Sequence, residues 1–237
     1  VRNALKSVPY DKKTEITVRL NALSTPFGHD DFSEIIPLSP GAVRLPKCES
    51  AEDVLEADAL ISELERKNGV PEGSVKIITI TESAGGWRNL VEIAAASPRV
   101  IALNYGAEDY TASLGAERTK EGGELNDIRA KVVVAARIAG IQALDSVFGD
   151  VNDSEGLYED ALRARRLGFD GKSVIHPRQI AVVHRAFTPS EKEINFAVRV
   201  MAAFSDAESR GSGVIALDGR MIDAPVVVRA RKTIALA

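Results

Sequence analysis

Glu82 closes a run of β-branched residues, Lys76–Thr81, and is followed at once by Ser-Ala-Gly-Gly. The next such run, 100–104 (VIALN), leads into Tyr105-Gly106-Ala107-Glu108-Asp109. If the two runs are neighbouring strands, Glu82 and Asp109 arrive side by side at one edge of a sheet. Two bare carboxylates that close repel, so they need a cation or a shared proton. Magnesium suits them: it takes one or two protein carboxylates, keeps waters and leaves room for substrate oxygens. Manganese accepts the same hard oxygen ligands. Taken singly, each acid also fits a helix cap or an ion pair. The glycines flanking both acids would let backbone and ligand approach closely. Arg19, in the apolar run 16–21 (ITVRLN), either forms an internal ion pair or forks onto a substrate carboxylate.

These residues need elements to position them. β-branched or apolar runs occur at 16–21, 42–46, 76–81, 100–104, 143–147 and 172–175. Helical spacing separates most of them, at 51–67, 87–96, 124–140, 154–167 and 190–209. Within the first helix, Val54, Leu55, Ala59, Ile61 and Leu64 predict the buried face. Ser50 with Asp53 predicts its N-terminal cap, and Asn68-Gly69 with Pro71 its stop. Alternating strands and helices define an α/β chain with a parallel sheet. No Gly-x-Gly-x-x-Gly turn follows an early strand, against a dinucleotide-binding sheet. Arg19, Lys47, Glu82, Asp109 and His176 all fall late in a strand or just beyond one, as in a TIM-type (β/α)8 barrel. Eight strands are required and six are counted, which predicts two strands ahead of Val1. Residues 1–187 are read as the barrel. Residues 188–237 are read as a helical lid: Thr188-Pro-Ser-Glu191 caps a helix, a glycine-rich hinge begins at Gly211, Asp218-Gly219 turns, and a last helix starts near Asp223.

The bulk numbers exclude several classes. The 237 residues carry a net charge of −4, which argues against a nucleic-acid partner and gives no polybasic membrane signal. No apolar run reaches the roughly 18 residues of a membrane span. One cysteine, Cys48, excludes an intrachain disulfide and fits a reducing, cytoplasmic setting. It has no base nearby in sequence and is expected as a small buried residue. His29 and His184 are expected at the surface, and Asp30 and Asp31 in a polar loop, 28–31. Lys47 and Glu49 are expected behind the site, and the His176-Pro177 pair to shape a turn.

Six segments together carry a resemblance. They are Val18-Arg19-Leu20-Asn21, Leu45-Pro46-Lys47, Ile80-Thr81-Glu82, Gly106-Ala107-Glu108-Asp109, 171–179 (GKSVIHPRQ) and 219–225 (GRMIDAP). In this order they resemble the citrate lyase β-subunit and malyl-CoA lyase group of the HpcH/HpaI aldolase family. The resemblance implies a magnesium-dependent lyase that cleaves a β-hydroxyacyl-CoA thioester of citryl, citramalyl or malyl type into an α-keto acid and an acyl-CoA. It implies Glu82 and Asp109 as metal ligands, with Glu82 also facing substrate, and Arg19 as the anchor for the keto-acid carboxylate. Asp223 becomes the acid/base carboxylate, carried by the lid to a neighbouring subunit of a homo-oligomer, a trimer or hexamer. By local pattern alone Asp223 is equally a helix cap. Two other readings stay open: thioester hydrolysis on the same scaffold, and a carrier-dependent or non-catalytic subunit of a larger complex.

Overall fold

The computed structural model describes residues 1–11, 13–211 and 215–237. They form two compact units, 1–179 and 180–237. No helix among the described residues is long and apolar enough to cross a membrane.

The first unit alternates helix and strand. In order come α1 (Arg2–Ser7), β1 (Thr17–Arg19), α2 (Gly28–Ile35), β2 (Ala42–Leu45), α3 (Ala51–Asn68), β3 (Lys76–Thr81), α4 (Ala84–Arg88), α5 (Leu90–Ala95), β4 (Val100–Tyr105), α6 (Ala107–Leu114), α7 (Asn126–Ala139), β5 (Gln142–Asp145), α8 (Ser154–Leu167) and β6 (Gly171–Lys172). The strands pair in the order β1-β2-β3-β4-β5-β6, all parallel. A sheet that always advances in one direction is wound like a barrel, not like a doubly wound sheet. Its curvature is visible in one contact. Arg44 Nη2, on β2, lies 3.4 Å from Ser173 Oγ, just beyond β6. In a flat sheet those strands would stand on the order of 19 Å apart. The unit is therefore a parallel α/β half-barrel of the TIM-like kind.

Side chains alternate between its two faces. Arg19 pairs with Arg44 and Arg44 with Ile78; Ile80 pairs with Asn104 and Asn104 with Leu144. These residues share the concave face, floored by Ala42, Ile78 and Ala102. The other face is covered by helices. α3 shows why one of these forms where it does. Ser50 and Asp53 make a reciprocal capping box, and Gly69 ends the helix with φ 68°. Its buried stripe is Val54, Ala57, Ile61 and Leu64. Leu55 and Ala59, expected on that stripe, are exposed. Each is about 100° or more off the line through 54, 57, 61 and 64.

Several boundaries differ from expectation. The stretch 28–31 is not a loop but the first turn of α2, whose Phe32 and Ile35 are buried. Gly28 is the first residue of that helix. It is needed because a Cβ there would lie 2.4 Å from the Ala22 carbonyl oxygen. Asp31 then accepts from Asn21 N at 2.9 Å and Asn21 Nδ2 at 2.7 Å, tying α2 to the end of β1. The helix expected over 87–96 is two helices that meet at Asn89. A 3-10 turn, Gly123–Leu125, precedes α7. β5 and β6 stop early, at Asp145 and Lys172, so Ser146, Val147, Ser173, Val174 and Ile175 leave the ladder.

α9 (Arg178–Phe187) crosses the division between the units. Beyond it come α10 (Glu191–Ser209), the antiparallel pair β7 (Ile215–Leu217) and β8 (Arg220–Ile222), and α11 (Ala224–Ala235). The capping box of α10 is Ser190 with Glu193, not the Thr188–Glu191 pair. Asp218 (φ 52°) and Gly219 (φ 72°) make the tight turn of the hairpin. Ala197, Val200, Ile222, Val227 and Ala230 form this unit's own core. Of the expected glycine-rich hinge, residues 212–214 lie outside the described residues.

Candidate active site

β3 ends at Thr81 and β4 at Tyr105, and these two residues are register partners. Gly106 N donates to Thr81 O at 3.0 Å, so the two chains leave the sheet together. Glu82 follows β3 directly. Asp109 is not at a strand end: it lies in the first turn of α6, which Gly106 caps. That position suits an anion, because the free N–H groups of a helix start favour negative charge. The two carboxyl groups meet. Burial, then the hydrogen bond to Asp109 and its charge, push the Glu82 carboxyl up to about 7, while Lys47 and Arg19 pull it back.

Both acids open onto a cavity of ≈ 390 Å³, which Arg19, Arg44, Asn104 and Ser173 also line. Asn104 is fixed by its amide, which donates to Leu144 O at 3.0 Å and to Ser173 Oγ at 3.2 Å. Gly106 makes room for Glu82, since a Cβ there would lie 2.9 Å from Glu82 Cγ. That glycine serves the neighbouring acid's side chain, a use different from the ligand approach expected of it. The donor set fits magnesium or manganese: two hard oxygen ligands side by side, with space for water and substrate oxygens. Among the described residues no cluster of three or more His, Cys, Asp or Glu side chains could hold a metal ion. The pair is thus suited to a cation that keeps several non-protein ligands.

Residues behind the pair hold the turns. Ser83 donates to Glu49 and accepts from Gly86 N, which fixes the chain just after Glu82. Lys47 takes a left-handed conformation, φ 52°, and its charge reaches Glu82. His176 Nδ1 accepts from Arg178 N at 3.2 Å and so shapes the entry to α9. His29 and His184 are exposed. Cys48 is buried, and burial followed by the Asp53 charge pushes its thiol well up, out of reach as a nucleophile. Asp223 belongs to the second unit. It is exposed, and Oδ1 accepts from Val226 N at 3.2 Å, capping α11.

Sequence reasoning passed over Arg44, although its register partner Arg19 was chosen. The signal was available: in Ala42-Val43-Arg44-Leu45, positions 42 and 44 share a face. It also passed over the brace behind the rim. Arg129 is fully buried and donates to Tyr105 Oη (3.0 Å), Asp145 (3.1 Å) and Asp160 (2.7 Å). Lys172 Nζ joins Asp145 and Asp160 at 2.7 and 2.6 Å. The cluster ties together the last residues of β4, β5 and β6 from their convex side.

A one-directional parallel sheet with two carboxylates just beyond its strands and two arginines on its concave face has the layout of a barrel-type enzyme site. Residues 1–177 match the model of the HpcH/HpaI aldolase/citrate lyase family, and the chain belongs to that family. It is 44% identical, over all of its length and 78% of the relative's, to citrate lyase subunit beta of Leuconostoc mesenteroides subsp. cremoris. It is 35% identical to the L-malyl-CoA/beta-methylmalyl-CoA lyase of Cereibacter sphaeroides, covering 95% of this chain and 79% of that one. Among solved structures it is similar to the CitE protein of Mycobacterium tuberculosis in complex with magnesium, acetoacetate and coenzyme A. That match has a TM-score of 0.79 and 35% identity, over 99% of this chain and 82% of the other.

Proposed function

We propose that the chain is a magnesium-dependent carbon–carbon lyase. Its substrate is a β-hydroxyacyl-CoA thioester of citryl, citramalyl or malyl type, and its products are an α-keto acid and an acyl-CoA. The observation that carries this reading is the meeting of the Glu82 and Asp109 carboxyl groups at the mouth of a cavity that Arg19 also lines. The lyase names of the relatives and the magnesium and coenzyme A of the similar structure support it.

Cleavage turns a hydroxyl into a carbonyl, its proton passing to water, and leaves an electron pair on the carbon next to the thioester. Glu82 and Asp109 would hold magnesium, which would supply Lewis-acid chemistry at the reacting oxygens. Arg19 forks onto the substrate carboxylate and fixes its orientation. Asp223, delivered from a neighbouring copy, protonates the carbon that departs and removes the proton in the reverse direction. This requires more than one copy, in our reading a homo-oligomeric trimer or hexamer, with residues 188–237 acting as a lid. The six curved strands suit a (β/α)8 cylinder completed by two further strands between β6 and β1. The single cysteine suits a cytoplasmic setting.

The test is α-keto acid release from citryl-, citramalyl- and malyl-CoA, with magnesium and with chelator. Release is expected from at least one thioester, abolished by chelator and by either Glu82→Gln or Asp109→Asn. Wild-type turnover in both variants would remove the metal assignment. Free acid and CoA without keto acid would make the protein a thioesterase.

A further inference from the structure

The chain neutralises the arginines it buries for structure. Arg99 carries Asp58 and Glu65, and Arg129 carries Asp145 and Asp160. Arg44 is treated differently. It is half-buried on the wall of the cavity, directly beside Arg19 in the ladder. No ion pair among the described residues includes either of the two. Its hydrogen bond goes to a neutral hydroxyl, Ser173 Oγ, at 3.4 Å. Burial, and then the Arg19 charge, hold the Arg44 guanidinium below its ordinary pKa. Two guanidinium groups on adjacent strands, about 4.8 Å apart at the backbone, make a cationic wall; the Arg19 charge reaches Glu82, whereas Arg44 has no carboxylate partner among the described residues.

We infer that Arg44 is a specificity residue that holds the second carboxylate of a dicarboxylic α-keto acid, while Arg19 holds the carboxylate next to the keto group. The inference rests on the lyase reading of the same cavity. Carboxylates separated by a keto carbon and a methylene span about one strand spacing, so each can meet its own guanidinium. A monocarboxylic keto acid fills the first position and leaves Arg44 desolvated with no partner. Sites that bury polar groups reject a ligand lacking the matching group far more strongly than apolar pockets reject a missing methylene.

The test compares oxaloacetate with pyruvate in the condensation direction, with acetyl-CoA and magnesium. It uses the full chain as wild type, Arg44→Met and Arg44→Lys. Each protein gives a ratio of kcat/KM values from one preparation, so any misfolded fraction cancels. Wild type is expected to prefer oxaloacetate, and Arg44→Met to lose on the order of 30- to 100-fold of that preference through a higher oxaloacetate KM. Arg44→Lys, which keeps the charge but not the fork, is expected to fall between them, and it decides the question if Arg44→Met does not fold. A ratio within about threefold of wild type in the variant that folds overturns the role, as does a wild type that prefers pyruvate. Absence of condensation with these two acids and with glyoxylate overturns the lyase reading instead. In that case the ratio of calorimetric Kd values for the two acids, wild type against Arg44→Lys, still decides Arg44 by the same criteria.

Discussion

Gly106 and Glu82 are in steric contact across two strand ends: a Cβ on Gly106 would lie 2.9 Å from Glu82 Cγ and 3.1 Å from Cδ. The backbone of Gly106 is ordinary, with φ −97°, so alanine costs little there in conformation. Gly106→Ala should keep the melting temperature within a few degrees while displacing the Glu82 carboxyl. A shift of that kind at a reacting centre lowers kcat/KM on the order of 10- to 100-fold. Paired thermal melts and turnover assays check this; unchanged kcat/KM would show that the position of Glu82 does not matter.

Glu82 gives a pH signature to the metal-free chain. Its carboxyl is raised from 4.5 to about 7 by burial and by the hydrogen bond and charge of Asp109. A raised carboxyl binds its proton more tightly folded than unfolded. Stability therefore declines as pH rises from 4.5 towards 7, and the full penalty stands above that. With chelator present, Glu82→Gln should melt higher than wild type at pH 8, and the difference should shrink by pH 5. Added magnesium should narrow the pH 8 gap. A gap independent of pH would show that Glu82 carries no such penalty.

Asp223 caps α11, so alanine there confuses a lost cap with a lost carboxylate. Asp223→Ser separates them, because serine caps as well as aspartate. The serine variant should keep the melting temperature, whereas alanine loses about 1 kcal/mol. Both should lose on the order of 10²- to 10⁴-fold in kcat. Activity retained by Asp223→Ser would leave the residue only its cap. Mixing Asp223→Ala with Arg19→Ala chains should restore part of the activity, since each copy then supplies what the other lacks.

The buried brace predicts stability, not rate. Lys172 reaches Asp145 and Asp160 with its side chain inaccessible to solvent. Lys172→Met leaves those carboxylates sharing Arg129 alone. Removing one partner of a buried ion cluster costs about 3–5 kcal/mol. Urea unfolding of the two chains measures it; a loss under 1 kcal/mol would show that Arg129 suffices.

The strands were legible because the parallel sheet buries both faces, and β-branched runs such as Lys76–Thr81 have no other reading. Glu82 was legible for the same reason: a carboxylate stands out at the end of such a run. α2 was hidden because Gly28 looks like a turn, when it is a packing glycine against Ala22 O. The place of Asp109 on a helix was hidden because α6 is short and begins one residue after β4. Arg44 was hidden by attention to strand ends, although the two-residue alternation that places Arg19 places it too. The brace of Arg129, Asp145, Asp160 and Lys172 joins four elements, and no local pattern announces a partnership at that range.

The chamber's polarity depends on parity along β2. A slip of that strand by a single place against its neighbours would exchange Arg44 for Val43 and turn a cationic wall greasy, with the backbone ladder otherwise repaired. Replacing Arg44 by valine would do the same without moving the strand, whereas an arginine at position 43, where the side chain is fully buried, would be left without a counter-charge. Residue 44 is therefore a one-letter dial by which this scaffold can be retuned from charged towards apolar keto acids.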